Sequence, residues 1–102
     1  FISRSGKVIE QTVISRGGTS ETAADLRIVM KGAISTLCSG IVLCPNHPSG
    51  NIQPSPQDDR LTARLQKAAQ LMDIRLLDHI IISDKSYYSY ADEGKLSGNL
   101  PA

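Results

Sequence analysis

The chain contains no tryptophan, one phenylalanine and three tyrosines, so the core of its 102 residues must come mostly from aliphatic side chains. Two cysteines, Cys38 and Cys44, are too few for the disulfide framework of a small secreted scaffold, and Cys44 sits inside an apolar run, as a reduced cytosolic thiol would. An excess of charge of one sign is missing as well. Lys and Arg number 11 against 10 Asp and Glu, and the net charge of +1 gives no general pull toward nucleic acid. Apolar runs stay far below the roughly 20 residues of a membrane span, and no charged-then-apolar leader opens the chain. Hydrophobic residues at 40% and charged ones at 21% argue against disorder. The expectation is one soluble, cytoplasmic domain over residues 1–102 that does not enter a membrane.

What is present is a change of hydrophobic period along the chain. Lys7 to Ser15 mixes Val8, Ile9, Val13 and Ile14 with polar residues and reads as a strand. Ser5-Gly6 before it is a turn signal, so Phe1 to Ser3 is expected to end an earlier strand of a hairpin that the chain enters part-way. Leu26, Val29, Met30, Ala33, Ile34 and Leu37 then recur at the spacing of one helical face. Gly40 follows, and residues 41–44 form a continuous apolar run, the mark of a strand covered on both faces. A second helix is expected from Pro56, with Leu61, Leu65, Ala68 and Met72 inward and Arg60, Arg64 and Lys67 as a solvated basic face. Ile74 to Ser83 reads as another buried strand, and Asp84-Lys85 turns it back into the alternating "SYYSYAD" of a sheet edge. The sum is an α/β domain, a mixed sheet flanked by helices.

The segment "CPNHPSGNIQPSPQDD" at 44–59 interrupts this order with one of the chain's two histidines. His47 follows the C-terminal end of a buried strand, where open α/β sheets place ligands. Asp58 lies in the first turn of the next helix, and a histidine and a carboxylate converging there would make half of a zinc site. Ser55 and Asp58 are equally explained as an N-cap and its third-position carboxylate, with Pro56 at the first helical position. Both explanations stand on the residues alone.

The runs "NHPSGNIQPSPQD", "LLDHIIISD" and "YYSYADEG" resemble the bacterial RadC-like family, over nearly the whole chain. That family is similar to the JAMM (MPN) metalloproteases, with a cytidine-deaminase-like α/β fold and the zinc motif His-x-His-x10-Asp, and its historical name links it to DNA repair. The resemblance implies His47 and Asp58 as metal ligands and Ser55 as the serine that helps stabilise a tetrahedral intermediate. It also implies zinc-activated water attacking an amide or isopeptide bond of a protein or peptide substrate, with a glutamate as base. That glutamate is expected on a strand cut off at Phe1, which would make the chain an N-terminally truncated domain.

The departure from the pattern is Pro45, which stands where the family has its first histidine and brings no side-chain donor to a metal. If a structural zinc site is worth roughly 10–16 kcal/mol over its ligands, one lost ligand weakens binding by about a hundredfold or more. Zinc is therefore expected to bind weakly or not at all. His79 would replace the lost ligand only if its strand turned it into the same cleft; a core residue paired with Asp78 or a backbone carbonyl is the plainer expectation. Three readings follow: a damaged zinc-dependent amide hydrolase, a non-catalytic MPN module that binds proteins, and a DNA-repair-associated binding protein, which the near-neutral charge disfavours.

Overall fold

The computed structural model describes residues 1–10, 25–45 and 52–96. Its first helix, α1 (Leu26–Thr36), starts at Asp25, whose carboxylate accepts from the Arg27 amide. It buries Val29 and Ala33 and ends at Leu37, where the backbone turns left-handed (φ 52°). The amides of Leu37 and Cys38 reach back to the carbonyls of Ile34 and Ala33 and close the helix. That turn swings Leu37 off the apolar face its spacing assigned it, and 85% of it is exposed. A β-carbon in this conformation costs about 1–2 kcal/mol, which the cap hydrogen bonds help to offset.

Strand β1 (Gly40–Leu43) runs parallel to β2 (Arg75–Ile82), and β3 (Tyr87–Ser89) returns antiparallel to β2, so the sheet is mixed, in the order β1-β2-β3. The parallel pairing requires a crossover, which is α2 (Pro56–Leu71). Gly40 takes Ile2 on its other side: Ile2 N–H donates to the Gly40 carbonyl at 2.8 Å. A β-carbon on Gly40 would fall 2.6 Å from Leu77 Cδ1, so a side chain at this strand start would require Leu77 to move. The expected N-terminal hairpin is reduced to a bridge between Ile2 and Val8 around Gly6 (φ 87°), and residues 11–15 of its second strand lie outside the described residues.

Helix α2 packs on β2, and α1 packs on α2. Leu65 and Ala69 of α2 meet Val29 and Ala33 of α1 and Leu76 and Ile81 of β2 in one aliphatic core, as the scarcity of aromatics requires. The buried face of α2 is Leu61, Thr62, Leu65 and Ala69. It is rotated from the expected stripe because the polar Thr62 belongs to it and was not counted by hydrophobicity. Met72, expected inside, is the cap residue beyond the helix and is 56% exposed. Arg60, Arg64 and Lys67 all face solvent. Among the described residues no helix is long and apolar enough to cross a membrane.

Candidate functional site at the start of the second helix

The first turn of α2 is a full capping box. Ser55 Oγ accepts from the Asp58 amide at 3.1 Å, and Asp58 Oδ2 accepts from the Ser55 amide at 2.8 Å. Pro56 occupies the first helical position, where its missing N–H leaves nothing unpaired. Asp58 and Asp59 both lie in this turn, where carboxylates face the positive end of the helix dipole. Ser55→Ala is expected to lower stability by about 1 kcal/mol, read as a shift of the urea midpoint at constant slope. An unchanged midpoint would show that the serine contributes nothing as a cap.

Strand register places this turn. Leu43 pairs with His79, and Thr62, one helical turn beyond Asp58, contacts the His79 ring. Because α2 runs back along the sheet, Asp58 lies further toward the C-terminal end of β1. Pro45 lies there too, its carbonyl accepting from Ile82 N–H at 3.0 Å. The strand end and the helix start therefore lie at the same end of the sheet. His47, the histidine of the expected metal pair, lies outside the described residues.

The described donors do not by themselves fit a catalytic zinc centre. Asp58 offers a carboxylate, but Oδ2 is already held by the Ser55 amide. Pro45 offers no donor. Cys44, expected inside the buried run, is instead exposed just past the end of β1; partial desolvation, and after it the charge of Asp78, raise its thiol above the ordinary value. Among the described residues no group of three or more His, Cys, Asp or Glu side chains is placed to hold a metal ion.

Behind the helix start lies a buried polar cluster that hydrophobic periodicity passes over. His79 is 1% exposed, and its Nδ1 lies 2.7 Å from Thr62 Oγ1. The Thr62 hydroxyl donates in turn to the Asp58 carbonyl at 2.8 Å. Tyr90 stacks on the imidazole with ring centroids 4.7 Å apart and planes within 5°. Its hydroxyl donates to Asp59 Oδ1 at 2.8 Å. His79 is a core residue as expected, and Asp78, one of the two partners expected for its ring, accepts from the His79 backbone N–H, the Ser89 hydroxyl and the Ala91 N–H. Alternation along a strand puts Asp78 and His79 on opposite sides of the sheet. Tyr90 itself, expected in the edge strand, is the first residue of the turn after β3. A polar Thr62 between Leu61 and Leu65 is the one sequence signal that could have shown the cluster.

Burial, and after it the hydrogen bond to Asp59, hold the Tyr90 phenol well above its ordinary value. A raised folded-state value means the native state keeps a proton that the unfolded chain has lost. The contribution is thus complete below the unfolded phenol value of about 10 and is lost as pH rises toward the folded one. Stability is expected to fall above about pH 10, and more steeply in the native chain than in Tyr90→Phe. Equal slopes in the two proteins, measured by urea denaturation across that range, would contradict this account of Tyr90.

The family model of the RadC-like JAB domain matches residues 1–95. A UPF0758 protein of Porphyromonas gingivalis is 54% identical over 97 residues, covering 94% of this chain and 43% of the relative. A UPF0758 protein of Flavobacterium johnsoniae is 40% identical over 94 residues, covering 92% of the chain and 41% of the relative. One of Streptococcus sanguinis is 36% identical over 93 residues, covering 91% and 41%. The chain thus spans about two fifths of the length of these curated relatives. With a family match over nearly its whole length, a mixed α/β sheet and a capped helix start beside a strand end, the chain belongs to the RadC-like JAB domain family.

Proposed function

We propose that this chain carries the zinc-hydrolase scaffold of its family with the metal site weakened at Pro45, so that it holds zinc poorly and recognises protein or peptide segments with little amide hydrolysis of its own. The observation that carries this reading is the position of Pro45. It follows the end of β1, its carbonyl accepting from Ile82 N–H, and its side chain has no donor at the position that the His-x-His-x10-Asp motif gives to a ligand. Two side chains, His47 and Asp58, are then left as candidate ligands, one fewer than the three of a catalytic zinc site. Zinc, when bound in such a site, would supply a Lewis acid and an activated water.

The binding part of the proposal draws support from the end of the β2–β3 pair. Ile82 and Tyr87 are register partners on β2 and β3, 40% and 61% exposed, and form an apolar pair open to a partner chain. A DNA-repair role receives no comparable support from a net charge of +1. Titration of the chain with zinc by calorimetry tests the metal part. A dissociation constant in the micromolar range or weaker is expected, and stoichiometric binding tighter than about 10 nM would overturn the proposal.

A further inference from the structure

We propose that His79 is a positioning residue for Asp58, acting through Thr62 with a proton on Nδ1. The functional meaning of this role rests on the reading of Asp58 as a site carboxylate; the proton assignment rests on geometry alone. The Asp58 carbonyl can only accept, so the 2.8 Å contact with Thr62 Oγ1 uses the one proton of that hydroxyl. With that proton on the Asp58 carbonyl, the 2.7 Å contact between Thr62 Oγ1 and His79 Nδ1 is assigned a proton on the nitrogen. The ring has little freedom to turn away, because Tyr90 lies parallel against it.

This chain of two hydrogen bonds ends on the carbonyl of Asp58 itself, the residue whose side chain closes the capping box. A second tie from the same side, Tyr90 hydroxyl to Asp59, holds the next residue. Two consecutive residues of the helix start are thus fixed from the sheet side by one stacked pair. A carboxylate that is to meet a ligand must be held to within about 0.5 Å, and supporting hydrogen bonds of this kind supply that precision. The position matters more than the bulk: phenylalanine at 79 would keep the shape and the stack and remove the donor, whereas asparagine would place an amide N–H close to where Nδ1–H stands.

The experiment uses the 102-residue chain, its His79→Phe and His79→Asn variants, and both substitutions in a Pro45→His background. Long-range nitrogen–proton correlation spectra of the native chain are expected to show Nδ1 of His79 protonated; an unprotonated Nδ1 overturns the proposal without any variant. In the Pro45→His background, His79→Phe is expected to weaken zinc binding about tenfold and His79→Asn to recover most of it, in line with one lost hydrogen bond. Affinity unchanged by His79→Phe, with only the denaturation midpoint lowered, would show a merely structural residue and overturn the positioning role. If Pro45→His binds no zinc, the metal proposal fails. The decision on His79 then passes to amide exchange of Ser55, whose N–H donates to the Asp58 carboxylate. Exchange faster by about tenfold in His79→Phe than in His79→Asn, after correction for global stability, supports the role, and equal exchange overturns it.

Discussion

Tyr90→Ala is expected to remove about 3–5 kcal/mol of stability, within the range of large-to-small aromatic substitutions in cores. Tyr90 is a core residue, and the loss reaches several contacts at once. The ring stacks on His79 and meets the Tyr88 ring edge-on at 5.5 Å. Its hydroxyl ties the Asp59 carboxylate of α2 to the turn after β3. Lys95 lies 6.0 Å from the ring centre and 5.3 Å from that of Tyr88, within the outer range of a cation–π contact. Few other aromatic rings are available to fill the space, with one phenylalanine and no tryptophan in the chain. A domain of this size has about 5–15 kcal/mol in total, so the variant is expected to be partly unfolded at 37 °C. Tyr90→Phe keeps the ring and should lose only about 1 kcal/mol near neutral pH. Urea denaturation of the three proteins separates packing from the hydroxyl. Similar losses in both variants would show that the hydrogen bond to Asp59 dominates.

How far the sequence reveals the molecule follows from what each signal encodes. The helical periods and the Ser55, Pro56 and Asp58 cap were legible, because capping chemistry is local and is written in three adjacent residues. The mixed sheet was legible too, since continuous apolar runs separated by a helix imply a parallel pair. The Thr62–His79–Tyr90 cluster was not, because its members are brought together from α2, β2 and the turn after β3 by tertiary folding. Hydrophobic counting also discards Thr62, although burial of a polar residue is feasible once its hydroxyl is satisfied by Asp58 and His79. Leu37 misled for the opposite reason: its apolar character continues the helical face, while its left-handed backbone ends the helix. The Asp58 half of the candidate site is now tied to a defined helix start, and the His47 half rests on the motif spacing of His-x10-Asp.

Pro45→His is expected to strengthen zinc binding by about a hundredfold or more, the share of one ligand in a site worth roughly 10–16 kcal/mol. The extended path of β1 carries on to position 45, whose carbonyl still pairs with Ile82, so the substitution leaves that hydrogen bond in place. Histidine tolerates the backbone angle that proline fixes, and the fold should be preserved. The motif His-x-His sets its two histidines two residues apart, and an imidazole at 45 restores that spacing to His47. Asp58 would complete three protein ligands with one position open to water. Calorimetric titration of the native chain and of Pro45→His with zinc, at one pH and in one buffer, tests the weakened-site account most directly. The account predicts stoichiometric binding in the variant, tighter by about two orders of magnitude than in the native chain. Equal affinities would contradict it, showing that position 45 is not a ligand position and that Pro45 damages no metal site.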